Sequence, residues 1–226
     1  MSSQQQPTAT NKQHWEKVYT EKTLDEQVSW YQPVPQTSKQ LILNHVPPQS
    51  CNVIDIGSGN SNLSVELFKN RPEMHLTLVD ISQKALERGK QKLVQEVGEA
   101  AVSSQVQFVE SNVVELHVEK EQYDVWHDRA TFHFLTSHED QVKYVKLVSD
   151  ALKIGGYLIL ATFSANNGPK QCSGLPIVQY SVEKMMELIS SVSPQCFELE
   201  TSFEELHTTP FNTTQNFLYM IFKRIK

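Results

Sequence analysis

The sequence predicts a doubly wound α/β fold with a mostly parallel, seven-stranded sheet that closes on a C-terminal antiparallel hairpin. Three observations predict it. Short apolar runs alternate five times with segments of helical periodicity, a pattern that calls for a parallel sheet covered on both faces. One of these runs, NVIDIGSGNSNL at 52–63, breaks into a glycine turn and then opens a helix. The chain ends on two strand-like runs, CFELETSFEELH and TQNFLYMIFKRI. They are joined by TTPFNT, a connection short enough to make them antiparallel neighbours.

The elements follow in order. In residues 12–22, Trp15, Val18 and Tyr19 share one helical face. VSWYQPVP sets Trp30 and Tyr31 before a proline turn, and residues 36–46 suit a helix ended by Pro47 and Pro48. Val53 and Ile54 are β-branched and suit a central strand. Ser61 or Asn62 then caps a helix through Val65, Leu67 and Phe68. Pro72 separates that helix from a second strand, MHLTLVD, and Ser82 caps a long polar helix beyond it. The third and fourth strands are VQFVE and YDVW. A helix over 138–152 should stop near Gly155 and Gly156, before a fifth strand, YLILATFS. A loop over 165–180 and a helix over 181–191 lead to the hairpin.

Bulk properties narrow the function classes. A chain of 226 residues suits one domain, here 12–226, with residues 12–46 as N-terminal lid helices. Residues 1–11 are rich in Gln, Thr and Ser and are expected to form a disordered tail. A formal charge of −6 argues against a nucleic-acid partner, because phosphate binding needs a basic surface. No 18-residue apolar run exists, so no membrane span is expected. The start lacks the apolar core of a secretory signal, and three widely spaced cysteines make a disulfide framework improbable; both fit a cytoplasmic protein. A monomer is expected.

In an open α/β sheet the ligand sits beyond the carboxyl ends of the strands. The polar residues at those ends are Asp55, Asp80, Asn112, His127 and Asp128. Gly57 and Gly59 let a ligand approach the main chain. Asp80 lies 21 residues after Gly59, where an acid can accept bonds from ribose hydroxyls. A dinucleotide fingerprint would need a third glycine where Asn62 stands, which disfavours a nicotinamide oxidoreductase and leaves Asp55 unexplained. A carboxylate ending an apolar strand is costly unless something pairs with it.

DIGSGNSNL, LVDIS, VESNVVEL, YDVWHDRATFHFL and LKIGGYLILATF resemble, in succession, the motifs of class I S-adenosylmethionine-dependent methyltransferases, over roughly residues 14–224. The wider run, with HWEKVY, VSWYQP, WHDRATFHFLT and CSGLPIVQY, is similar to a subfamily of small methyltransferases, of which thiopurine- and tellurite-type enzymes are more distant relatives. The resemblance implies a Rossmann-like methyltransferase fold and S-adenosyl-L-methionine as cofactor. It implies that Asp55 and the Gly57–Gly59 backbone hold the methionine end, Asp80 the ribose, and Ile81 the adenine face. Asn112 would accept the adenine amino group, the Val113 backbone would serve the ring, and the His127 backbone would lie by the methionine amino group. Trp15, Tyr19 and Trp30 would fold over the cofactor. Ser61 stands where a third glycine is common, and Asn112 where Asp is usual.

Methyl transfer needs alignment above all. An amine or hydroxyl acceptor also needs a base, for which His127, His133 and His207 are candidates, with Asp128 to orient one of them. Each has a plainer reading: His133 and His207 as packed histidines, the aromatics as core, Arg129 as a surface partner of Asp128. Cys172 reads as a loop thiol, and no close CxxC or HxxH pairing points to a metal. The acidic charge and compact length favour a small-molecule acceptor. A protein acceptor, methylated on lysine or histidine, and a non-catalytic cofactor-binding protein are the alternatives.

Overall fold

The computed structural model describes residues 12–226; the tail expected at residues 1–11 lies outside the described residues. Helix α1 (Lys12–Glu21) and α2 (Gln36–His45) precede five parallel strands, four of them followed by an α-helix; in place of the expected fifth alternation, only a short turn at 113–115 joins the third strand to the fourth. Strands β1 (Asn52–Ile56), β2 (His75–Asp80), β3 (Val106–Glu110), β4 (Tyr123–Arg129) and β5 (Leu152–Phe163) run parallel. Helices α3 (Leu63–Asn70), α4 (Gln83–Val97), α5 (Glu99–Gln105) and α6 (His138–Ala151) connect them. A two-residue hairpin, β6 (Gln171–Cys172) and β7 (Leu175–Pro176), lies in the loop before α7 (Val182–Val192). Strands β8 (Phe197–Thr208) and β9 (Thr214–Arg224) close the sheet, β9 antiparallel to both β5 and β8.

The seven strands lie in the order β3-β2-β1-β4-β5-β9-β8. The winding reverses between β1 and β4, so the crevice beyond their carboxyl ends is the switch point where such folds place a ligand. Strand alternation sorts the apolar side chains onto two faces. Ile54, Ile56 and Trp126 pack with Tyr144, Met185 and Leu188 of α6 and α7. Val53 and Val125 pack with Ile42, Leu67 and Leu86 of α2, α3 and α4. By the same parity Asp55 and His127 share the α2 face, whereas Asp128 shares the α6 face.

One local expectation changes here. The helix over 138–152 ends at Ala151 and β5 starts at once, with Gly155 and Gly156 inside the strand. Gly155 has φ +84°, and a Cβ on Gly156 would come within 2.9 Å of the Asp124 carbonyl. The pair therefore serves the irregular pairing between Tyr123 and Val125, not the helix stop. The long polar helix capped by Ser82 is α4; it ends before Gly98, φ +91°, and the short α5 follows directly. Ser82 caps α4, accepting the Ala85 N–H at 3.2 Å. Before α3, Ser61 Oγ accepts the Leu63 N–H at 3.1 Å, while Asn62 makes no side-chain cap. Among the described residues no helix is long and apolar enough to cross a membrane.

The sheet's stability should rest on its doubly covered strands. Ile54 is fully buried in β1, so Ile54→Ala is expected to destabilise the protein by about 2–5 kcal/mol in urea unfolding. A loss under about 1 kcal/mol would show that β1 is not packed against α6 and α7 as described.

Candidate active site

The site begins with the charge at the end of β1. Asp55 and His127 are direct partners across the parallel β1–β4 pair. His127 Nδ1–H donates to Asp55 Oδ1 at 2.6 Å, and His127 Nε2 lies 2.9 Å from Ser38 Oγ on α2. All three residues are buried. The anomaly in the strand is thus an acid–imidazole–hydroxyl chain that joins β1, β4 and the N-terminal helix.

The glycine turn sits above it. Gly57 has φ +64°, and a Cβ there would lie 1.9 Å from Thr131 Oγ1. Gly59 has φ +55° and faces the Tyr19 hydroxyl, which a Cβ would meet at 2.5 Å. Asp80 Oδ2 accepts the Gly59 N–H at 2.9 Å, and Oδ1 accepts the Ser82 N–H at 2.8 Å. Burial pushes the Asp80 carboxyl up to about 6, and these two N–H groups oppose the rise. The turn is also tied to the N-terminal segment. Lys92 Nζ donates to Asp25 Oδ2, the Asn60 carbonyl and Asn62 Oδ1, within 2.6–2.8 Å. Glu16 of α1 accepts the Gln83 N–H at the start of α4.

Two cavities open at this end of the sheet. The larger, about 760 Å³, is lined by Trp15, Tyr19, Trp30, Gly57, Asp80, Ile81, Asn112, Val113 and residues 129–131, with Phe134 and Cys172. The second, about 560 Å³, is lined by Ser38, Asp55, His127 and Ser58, beneath residues 28–35. Trp30, Gly57 and Arg129 border both. Trp15 lies edge-on to Trp30 and Phe134, with ring centroids 6.0 and 5.1 Å apart, so the aromatics form a roof.

Of the cofactor candidates, Trp15, Tyr19, Trp30, Gly57, Asp80, Ile81, Asn112 and Val113 meet at the larger cavity, and Asp55 and His127 at the second. Gly59 supports the turn without lining either. Asn112 also starts a short turn, its Oδ1 accepting the Val114 N–H at 3.3 Å.

The base candidates separate. His127 alone among them reaches a cavity wall. His133 is fully buried between Phe134 and Phe163, and burial pulls its imidazole down to about 3. His207 Nε2–H donates to the Ser29 carbonyl at 2.8 Å; burial, then the Arg129 charge, lowers its pKa. Asp128 accepts hydrogen bonds from the Tyr144 hydroxyl at 2.7 Å and from the Thr131 and Phe132 N–H groups, and burial raises its pKa to about 6. It makes no ion pair with Arg129, correcting the surface-pair reading. Cys172 stays a thiol, raised by burial to about 11. Among the described residues no group of three or more His, Cys, Asp or Glu could hold a metal ion. Sequence reasoning missed Ser38 and underrated Arg129. The position of Arg129, two past His127 at a strand's carboxyl end, was the available signal.

A family profile described as "Methyltransferase domain" matches residues 48–223. Malonyl-[acyl-carrier protein] O-methyltransferase 1 of Ilyobacter polytropus is 25% identical over 186 residues, which is 80% of this chain and 65% of that protein. This chain therefore spans less than two thirds of that relative's length. The 1,6-didemethyltoxoflavin-N1-methyltransferase of Burkholderia thailandensis has a similar structure, with a TM-score of 0.71 and 15% identity over 100% of this chain and 94% of that one. A SAM-dependent methyltransferase of Methanosarcina mazei shows a TM-score of 0.65 and 18% identity, over 82% and 97%. At such identities the likeness is one of fold.

The raised Asp80 carboxyl has a consequence for stability. Its folded pKa exceeds that of the unfolded chain, so the folded state holds the proton more tightly. Its contribution is fully present below about pH 4 and is lost as pH rises through about 6. Asp80→Asn resembles the protonated form. Its urea-unfolding stability should track wild type below about pH 4 and gain on it up to about pH 6. A difference that does not change across that window would overturn the assignment.

Proposed function

Because the chain belongs to the methyltransferase-domain family, we propose that it moves the methyl group of S-adenosyl-L-methionine to a nucleophile on a small molecule. The observation that carries this reading is the first cavity's wall. It joins an acid (Asp80), a side-chain-free turn (Gly57) and two apolar flanks (Ile81, Val113), and borders a second cavity at Gly57 and Arg129. The residues present fit such a cofactor. Asp80 has lone pairs beyond its two backbone bonds for ribose hydroxyls. Ile81 and Val113 offer faces to adenine, and Asn112 an acceptor for its amino group. The Gly57 backbone and the His127 main chain stand where the methionine end would lie, over β1 and β4.

When bound, the cofactor supplies an electrophilic methyl on a sulfonium. This chain's residues then position and shield. The aromatic roof of Trp15, Tyr19 and Trp30 keeps water from the reacting centre. Asp55 fixes the Nδ1–H of His127, which leaves Nε2 as the ring's proton acceptor. For an amine or hydroxyl acceptor, His127 Nε2 takes the proton, with Ser38 Oγ as its partner at rest. A sulfur acceptor needs no such base. The second cavity, closed in by residues 28–35, favours a small acceptor over a protein segment.

S-adenosylhomocysteine and S-adenosylmethionine should raise the melting temperature while NAD and NADP leave it unchanged. Stabilisation by NAD alone would sink the proposal. Asp80→Ala should weaken S-adenosylhomocysteine binding by about tenfold or more in calorimetry while the chain stays folded; unchanged affinity would remove Asp80 from the ribose role. With methyl-labelled cofactor and cell extract, label is expected in small metabolites. Label in protein would select the protein-methyltransferase reading, and none at all a non-catalytic one.

A further inference from the structure

Arg129 ends β4 and borders both cavities. Two arms of its guanidinium are spoken for: Nε donates to the Tyr219 hydroxyl and Nη1 to the Trp30 carbonyl, each at 3.2 Å. The group lies over the Phe217 ring, 4.4 Å from its centroid. Nη2 has no hydrogen-bond partner, and no carboxylate of the described residues pairs with Arg129. The acids in the cavity walls are engaged elsewhere, Asp55 with His127 and Asp80 with Gly59 and Ser82. Asp128, next in sequence, turns to the opposite face of the sheet, toward Tyr144.

A partly buried guanidinium with neutral partners only is costly, and its planar fork is shaped for a carboxylate. The held arms keep it from swinging into water. Strand order shows which side it serves. Asp80 and Asn112 stand at the ends of β2 and β3, on one side of β1. Arg129 instead leans to Tyr219 and Phe217 on β9, across β5 on the other side. Trp30 and Phe134 line the first cavity beside it, rings that suit an apolar body.

We propose that Arg129 binds a carboxylate carried by the methyl acceptor, so that the second substrate is a small acid with an apolar, aromatic body. This rests on the methyltransferase reading above. The other source of the same chemistry is the cofactor's own carboxylate, and the side of the sheet on which Arg129 is anchored favours the acceptor. The carboxylate is a handle for orientation, and it turns the acceptor's nucleophile toward the crevice over β1 and β4.

The test uses the full chain saturated with S-adenosylhomocysteine, with phenylacetate and its neutral counterpart phenylacetamide as probes in calorimetry. Phenylacetate is expected to bind about tenfold or more tightly than the amide. Arg129→Met should erase that preference and Arg129→Lys should keep part of it, and any loss of S-adenosylhomocysteine affinity in Arg129→Met should be matched by an equal loss for 5′-methylthioadenosine. Equal binding of the two probes, or binding of neither, overturns the proposal, and this wild-type comparison needs no variant to fold. A second overturning result is an Arg129→Met protein that loses S-adenosylhomocysteine affinity but keeps that for 5′-methylthioadenosine, which has no carboxylate; the charge would then belong to the cofactor. If wild type fails to bind S-adenosylhomocysteine at all, the underlying methyltransferase reading fails first.

Discussion

A carboxylate at the end of a buried central strand must be paired, and the Asp55–His127 hydrogen bond is how this protein meets that constraint. The two residues sit opposite each other in adjacent parallel strands and point to the same face. Burying either alone would leave an unsatisfied polar or charged group between α2 and the sheet. Ser38 extends the pair to α2, so the helix that precedes the first strand is held to the strand ends by polar contacts as well as by Ile42. The same bond commits the Nδ1 proton of His127 and leaves Nε2 as the ring's acceptor, which faces Ser38.

The glycine turn is built on the same economy of backbone groups. Asp80 accepts the Gly59 and Ser82 N–H groups, holding the turn and the start of α4 in one frame. Lys92 and Glu16 fasten that frame to the chain that precedes β1. The N-terminal segment is therefore part of the cavity walls: Tyr19 packs on Gly59, and Trp15 and Trp30 roof the first cavity.

Electrostatically the site is divided. The acids lie toward β1 and β2 and are satisfied within the protein, whereas the uncompensated cation lies toward β5 and β9. Burial, and after it the positive charge of Arg129, lowers the pKa of both His207 and His133, and His133 adds a ring contact with Phe163. Two histidines that look alike on paper as bases are thereby spent on packing and on the Ser29 carbonyl, and the third stands at a cavity wall.

Periodicity alone determined the alternation of strands and helices, the antiparallel ending, and the gathering of Gly57, Asp80, Asn112 and His127 at one edge of the sheet. These are local properties, since a strand's parity, a glycine's backbone freedom and a cap's spacing are written in neighbouring residues. The glycine pair at Gly155 and Gly156 misled, because a left-handed φ serves a strand irregularity as well as a helix end. Only tertiary structure could pair Asp55 with His127 and Ser38, turn Asp128 away from both His127 and Arg129, and bury His133 out of reach. Those outcomes depend on which strand lies beside which and on which helix covers the face. Contacts between residues 72 or 89 positions apart in the chain are chosen by the packing of the whole sheet, and no short stretch of sequence encodes them.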